Sequence, residues 1–73
     1  MNAELLEFIV KPNSLVCDKK IKDIEFPRSA IIGGVIRDKT GLIALGDFVI
    51  QAGDRIVVCC LPQALNKVEE LFL

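Results

Sequence analysis

The stretch from Ser29 to Leu61 constrains the fold most, because strongly apolar segments alternate there with short turns. It opens with Ser29–Arg37, in which almost every residue before the final arginine is apolar. A strand exposed on one face alternates apolar and polar side chains, whereas a strand covered on both faces is apolar throughout. We therefore predict that Ser29–Arg37 is a central strand. The turns that follow are too short for crossover connections, so they predict antiparallel pairing.

The other predicted strands are bounded by residues that favour turns, chiefly Pro, Asn, Asp and Gly. A charged hairpin, Asp38–Gly41, follows the central strand, and we expect Gly41 to be its left-handed residue. The five predicted strands are Glu4–Val10, Ser29–Arg37, Leu42–Leu45, Phe48–Ile50 and Arg55–Leu61.

Two helices complete the prediction. Asp18 is placed to cap a short helix over Lys19–Glu25, and Pro27 disfavours helical geometry at the residue before it, so the helix ends there. Pro62 suits the first position of a closing helix. Its apolar residues recur at helical spacing on one face, so this helix is amphipathic and runs to the end of the chain. Those residues are Leu65, Val68 and Phe72.

These elements predict an α+β fold for a single domain spanning residues 1–73. The sheet is small and mostly antiparallel, with about five strands, one short helix after the first strand and one amphipathic helix at the C terminus. Residues on the central strands and the closing helix form the expected core. They are Ile32, Val35, Ile36, Ile56, Val58, Leu65 and Val68.

The chain has more apolar side chains than so small a domain easily covers. Hydrophobic residues make up 52% of its 73 residues, and the mean hydropathy is +0.48. A domain of about 60 residues buries only about 60% of the surface that its unfolded chain exposes. We therefore expect a homodimer, or a neighbouring domain, to cover the excess.

Charge and composition argue against two classes of partner. The formal net charge is −1, the charged residues of both signs are scattered, and the chain has no Trp or Tyr, so we do not expect nucleic-acid binding. The longest apolar run, Ile56–Leu61, is far shorter than the ~20 residues of a membrane span. No basic segment opens the chain, so no signal peptide is expected.

The cysteines and the missing histidines argue against metal binding and catalysis. The chain has three cysteines and no histidine. Cys59 and Cys60 are adjacent in a predicted strand, so their side chains point to opposite faces and cannot chelate one ion together. We interpret the cysteines as small buried hydrophobes in a reducing, cytoplasmic compartment, with zinc or nucleophilic chemistry as the alternative. We expect no catalytic residue, no metal and no cofactor.

Two neighbouring glycines, Gly33 and Gly34, interrupt the central strand. Glycine weakens a strand, so its presence there indicates a bulge, a packed side chain, or a ligand or partner that approaches the backbone. The same strand ends in Arg37, whose guanidinium could hold a phosphate or carboxylate of a ligand. The alternative is an ion pair with a nearby acid. The candidate acids are Asp38, Asp47 and Asp54, the last two of which also suit glycine turns.

The ordered set of these segments resembles the RCK C-terminal domain family, also called TrkA-C. The resemblance covers about Leu5 to Phe72. It includes Leu15–Ile21, which is similar to the segment that leads into the family's short helix. It also includes Ile32–Asp38, which is similar to the family's hydrophobic strand ending in arginine. It is strongest at Phe48–Val58, where a Gly-Asp turn separates two hydrophobic segments.

The resemblance implies a regulatory role. Domains of this family dimerise, accompany cytoplasmic nucleotide-binding domains of potassium channels or transporters, and in some members bind a cyclic dinucleotide or a divalent cation between protomers. It thus implies a homodimer, an anionic effector such as a cyclic dinucleotide, and a membrane potassium transporter or channel as partner. We expect the effector site near Gly33, Gly34, Val35 and Arg37. The alternative is a structural oligomerisation module without a ligand.

Overall fold

A computed structural model describes residues 2–73 and contains one antiparallel sheet covered on one face. The strands are β1 (Glu4–Ile9), β2 (Ala30–Arg37), β3 (Thr40–Leu42) and β4 (Arg55–Cys60). Their order in the sheet is β1-β4-β2-β3, and every neighbouring pair is antiparallel. The helix α1 (Leu65–Leu71) follows a 3-10 turn at Pro62–Ala64. The α+β class, the antiparallel sheet and the C-terminal helix are thus confirmed.

The prediction of five strands is wrong, since the described residues form four. The segment Phe48–Ile50, expected as a strand, has a single bridge between Val49 and Lys20. Its backbone bonds instead to the loop after β1: Ile50 N donates to Lys19 O at 2.9 Å, and Ile21 N donates to Phe48 O at 3.0 Å. The segment satisfies its polar backbone groups against this loop, which is why it does not extend the sheet.

The predicted helix over residues 19–25 is also wrong. Only a single 3-10 turn, Ile21–Asp23, forms there, and the residues before and after it, Lys20 and Ile24, are extended. Asp18 lies in the left-handed region at φ 63°, and the 3-10 turn has no side-chain cap, so Asp18 accepts no capping hydrogen bond from it. Backbone hydrogen bonds to the distant Phe48–Ile50 segment occupy groups that a helix would use, so they compete with helical pairing.

A β-bulge divides β2 into two halves. Ile32 lies opposite Val58 on β4, but Gly34 lies opposite Val57, so the register shifts by one residue and Gly33 is extra. Because side chains alternate between faces along a strand, the extra residue reverses the alternation. Ile32 before the bulge and Val35 after it therefore face the same side of the sheet.

That side, here called the inner face, packs against α1 and the loops. Four of the seven expected core residues are buried there: Val35, Ile56, Val58 and Val68. Two others, Ile32 and Leu65, are partly buried against the same cluster. Ile36 differs, because the bulge turns its side chain to the opposite side of the sheet, where it lies beside Arg55.

The hairpin between β2 and β3 differs from the expectation for Gly41. Arg37 pairs with Thr40, so the loop has two residues, Asp38 and Lys39. Both have positive φ, 50° and 67°, as hairpin loops of this length require. Gly41 instead belongs to β3 and is not in the left-handed region, so that prediction is wrong.

Candidate interface and effector site

The side of the sheet opposite the inner face, here called the outer face, carries exposed apolar side chains. The strand registers place Leu5 and Ile31 on either side of Cys59, and their exposed fractions are 75% and 65%. A second row contains Val57 beside Gly34. No element of residues 2–73 packs over this face as α1 packs over the inner one. Its residues are Leu5, Glu7, Ile9, Ile31, Gly34, Ile36, Arg55, Val57 and Cys59.

Nothing within the described chain requires glycine at Gly33 or Gly34. Neither has positive φ. A Cβ built on Gly33 would lie 3.7 Å from the Val57 carbonyl oxygen, and one on Gly34 would lie 4.0 Å from the Leu42 carbonyl oxygen, both ordinary van der Waals contacts. The bulge explains why β2 has an extra residue, but it does not explain why that residue is glycine. The two glycines therefore leave the backbone accessible on a face that is otherwise lined by large apolar side chains.

The structure separates the four predicted site residues. Gly33 is exposed and Gly34 is half-buried, and they are adjacent to the outer face. The side chain of Val35 lies in the core, with 1% of the residue exposed, so only its backbone could contact a ligand. Arg37 shares the side of Val35, because the bulge has reversed the alternation before both residues.

Arg37 forms a bidentate ion pair with a buried carboxylate. Its Nε donates to Asp54 Oδ1 at 2.8 Å, and its Nη2 donates to Asp54 Oδ2 at 2.7 Å. Of the three candidate acids, the structure thus selects Asp54, which is 2% exposed. The remaining bond of Nη2, 3.1 Å to the Val49 carbonyl oxygen, attaches the same guanidinium to the Phe48–Ile50 segment. Within residues 2–73, Nη1 has no hydrogen-bond partner.

The turn before β4 positions Asp54 for this pair. Gln51 and Asp54 close the turn through a backbone hydrogen bond of 3.1 Å, and Gly53 at φ 89° supplies the left-handed residue that such a turn needs. The Gln51 N–H also donates to Asp54 Oδ2 at 2.9 Å. A buried carboxylate with two donors on one oxygen and one on the other is well satisfied, so the pair can lie next to the core.

The ion pair shifts the pKa of both partners in the direction that favours their charged forms. The hydrogen bonds from Arg37 lower the pKa of Asp54; burial acts in the opposite direction, and the Gln51 N–H adds to the lowering. The same hydrogen bonds raise the pKa of Arg37. Phe48 completes the arrangement, since the guanidinium carbon lies 4.8 Å from its ring centroid. Arg37 therefore joins β2, the turn before β4 and the Phe48–Ile50 segment.

Arg55 is a candidate ligand residue that the sequence reasoning missed. It lies opposite Ile36 on the outer face, one row from Gly34, and it is exposed. Its Nη1 donates to Glu7 Oε1 at 3.3 Å in an exposed pair. Arg55 lies two residues before Val57 on β4, so the two side chains point to the same face. The sequence does not show that Gly34 shares this face, because that depends on the strand register and the bulge.

The hairpin end of the sheet adds two exposed apolar residues. β3 is an edge strand, paired with β2 alone among the described strands. Immediately beyond it, Ile43 is 91% exposed and Leu45 is 73% exposed. Apolar residues at these exposures beside an open strand edge are typical of surfaces that associate.

The thiols do not converge on a ligand. Cys60 is buried and Cys59 lies on the outer face, as the alternation predicts, whereas Cys17 is partly exposed. Burial raises the pKa of the Cys60 thiol, which disfavours the reactive thiolate.

In residues 2–73, no group of three or more His, Cys, Asp or Glu side chains could hold a metal ion. No helix in the same range is long and apolar enough to cross a membrane.

Comparison with known sequences identifies relatives over nearly the whole chain. The family model described as the TrkA-C domain matches residues 5–73. The Trk system potassium uptake protein TrkA homolog 1 of Methanosarcina mazei is 34% identical over 70 residues, 96% of this chain and 16% of that protein. The corresponding homolog of Archaeoglobus fulgidus is 37% identical over 68 residues, 93% of this chain and 15% of that protein. The chain thus spans only a small part of these relatives.

Comparison with solved structures identifies the same architecture. The chain described as "Structure of RCK domain with cda" superposes with a TM-score of 0.77 at 22% sequence identity. The match covers 92% of this chain and 96% of that one. This likeness establishes a shared fold.

Proposed function

The chain belongs to the TrkA-C domain family, and on that premise we propose that it is a regulatory domain of a potassium transport system. Two copies form a homodimer, an effector binds at their junction, and binding biases the assembly and so gates transport. The domain itself has no catalytic role. The relatives named as potassium uptake proteins support the transport system, and the transporter or channel is contacted through the longer parent protein on the cytoplasmic side of the membrane.

The observation that carries the proposal is the glycine pair on the outer face. Neither a steric clash nor a positive φ requires glycine at Gly33 or Gly34. Glycine in a strand costs roughly 0.5–1 kcal/mol relative to alanine. A ligand or partner outside the described chain that contacts the backbone itself would need glycine there, and this would explain why a less stable residue is present.

The dimer interface in this proposal uses the exposed half of β2 and the hairpin beyond it. Ile31, Ile43 and Leu45 are large, apolar and exposed. Their burial by a second copy would remove apolar surface from water, with a gain of about 25 cal/mol per Å². This accounts for the excess of apolar residues that the composition indicates.

The effector in this proposal is a small anion such as a cyclic dinucleotide, bound near Gly33, Gly34, Val35 and Arg37. The glycines leave the main chain accessible next to Val35, and Nη1 of Arg37 has no partner among residues 2–73. Arg55 offers a more accessible guanidinium, since its exposed bond to Glu7 is long at 3.3 Å. The solved RCK domain is described as being with cda, which supports a small effector.

The sharpest test replaces Gly34 with alanine. We expect the free energy of unfolding of the monomer to stay the same or to rise, while the dissociation constant of the dimer, measured by analytical ultracentrifugation, increases at least about tenfold, or ~1.4 kcal/mol. Lys67→Ala, at an exposed position of α1 away from this interface, is the control and should leave association unchanged. A wild-type chain that sediments as an 8.0 kDa monomer at micromolar concentration would remove the dimer from the proposal.

Thermal shift with cyclic dinucleotides tests the effector separately. A ligand that binds only the folded state raises apparent stability by RT ln(1 + [L]/Kd). We expect a rise in Tm for the wild type that Arg55→Ala reduces. A dimer with no rise in Tm would instead support the structural oligomerisation module.

A further inference from the structure

A groove at the edge of the sheet opposite the hairpin lies between strand β1 and helix α1. β1 contributes Glu7, Phe8 and Ile9, and the helix end contributes Glu69, Glu70 and Phe72. The floor is apolar, because the rings of Phe8 and Phe72 stack in parallel with their centroids 4.4 Å apart. Ile9, 59% exposed, and Leu73, 74% exposed, add apolar surface at the rim. This groove is separate from the hairpin edge used in the proposed dimer.

The strand beside the groove has an open edge. β1 is the first strand in the order β1-β4-β2-β3 and pairs only with β4 among residues 2–73. Just beyond its end, Val10 N donates to Asp54 O at 2.9 Å, and Val10 O accepts from Gly53 N at 2.8 Å. Bonded and non-bonded residues alternate along an antiparallel strand. The pairing of Val10 therefore directs the backbone polar groups of Leu5, Glu7 and Ile9 away from β4, toward the open edge.

The groove is also acidic. Three glutamates line it, Glu7 on the strand and Glu69 and Glu70 on the helix, against one lysine, Lys11. Glu69 and Glu70 are exposed and have no ion-pair partner among residues 2–73. Charged rims select the partner and its orientation more than they add affinity. This rim favours a partner with basic side chains.

From these three features we infer that the groove binds an extended, basic segment of another protein by strand addition to β1. The backbone of the segment pairs with the outward N–H and C=O groups of Leu5, Glu7 and Ile9. Its apolar side chains lie on the outer side, beside Leu5 and Ile9, and its alternate lysines or arginines lie on the inner side, over the Phe8–Phe72 floor, where they reach Glu69 and Glu70. An open strand edge supplies affinity through main-chain hydrogen bonds, and alternate side-chain contacts supply specificity.

The test uses a fluorescent, end-blocked eight-residue peptide in which valine and arginine alternate, titrated with the whole chain and followed by anisotropy. Saturable binding is expected, with amide shifts at Leu5, Glu7 and Ile9 by NMR. The double change Glu69→Lys and Glu70→Lys should weaken binding at least about tenfold. The matched double change Asp23→Lys and Glu25→Lys, of equal charge on residues outside the groove, should leave the affinity within about twofold.

A second peptide separates strand addition from charge attraction. It has proline in place of valine, so it keeps the arginines but lacks the backbone donors that pair with a strand edge. Equal affinity of the two peptides would overturn strand addition, and so would equal weakening by the two double variants. Self-association of the chain lost in the Glu69 and Glu70 variant would assign the groove to a second copy and overturn the inference. None of these results depends on the Gly34→Ala experiment.

Discussion

The two faces of the sheet are built from the same strands but stand in different environments. Val58 is completely buried on the inner face, while its neighbour Val57 lies on the outer face and is partly exposed. Ile56 is likewise buried, whereas Ile31 is 65% exposed. Both faces are apolar, so hydrophobicity alone does not distinguish them. The difference is that α1 and the loops cover the inner face, whereas no element of residues 2–73 covers the outer face.

The largest expected effect compares one isoleucine from each face. Ile56→Ala should lower the free energy of unfolding by about 2–5 kcal/mol, because it removes buried methyl groups and leaves a cavity. Ile31→Ala, at concentrations where the chain is monomeric, should change it by no more than about 0.5 kcal/mol. Urea unfolding followed by circular dichroism measures both. Equal costs would contradict the distinction between the faces.

A smaller effect is expected for the ion pair between Arg37 and Asp54, which the bulge places on the inner side of the sheet. Asp54→Asn should cost about 1.5–3 kcal/mol, because it removes a charge-assisted, bidentate partner of Arg37. Arg37→Lys keeps the charge but loses the bidentate hydrogen bonding, so it should lower the free energy of unfolding by less than Asp54→Asn does. Unfolding of the two single variants and the double variant gives the coupling energy. A coupling near zero would mean that the pair contributes little to stability.

The Arg37–Asp54 ion pair also predicts how the free energy of unfolding changes at acid pH. The pKa of Asp54 is lowered in the folded state, so its contribution is complete above the unfolded value of about 3.9. It is lost as the pH falls through the lower, folded pKa. The stability difference between wild type and Asp54→Asn should therefore shrink on acidification below about pH 4. A difference independent of pH down to full acid unfolding would contradict the ion pair.

The smallest effect concerns the hairpin, where backbone conformation matters more than packing on either face. Lys39 has φ 67° and is exposed. Lys39→Gly should stabilise the chain by about 1 kcal/mol, because a left-handed residue with a Cβ costs about 1–2 kcal/mol. Lys39→Ala, which keeps the Cβ, is the control and should give no such gain. A stabilisation by alanine equal to that by glycine would show that the lysine side chain, and not φ, is the cause.

The sequence predicted the strands with strong hydrophobic patterns but not the segments whose structure depends on distant partners. β1, β2 and β4 were predicted to within one residue at each end because their apolar residues are continuous or regularly spaced. Phe48–Ile50 and the loop before it were assigned wrongly because they bond to each other, a contact that no local pattern encodes. Of the predicted site, the glycine pair could be recognised as unusual from the sequence. The direction of Arg37 could not, since it depends on the bulge.

The bulge in β2 has a consequence for how this strand tolerates change. The fold requires one additional residue between Ile32 and Gly34, because that residue sets which side chains lie inside on each side of it. It does not require that the residue be glycine. Deletion of one glycine would restore unbroken alternation and turn either Ala30 and Ile32 or Val35 and Arg37 outward. The fold therefore fixes the length of this segment, but it does not fix which residues stand at positions 33 and 34.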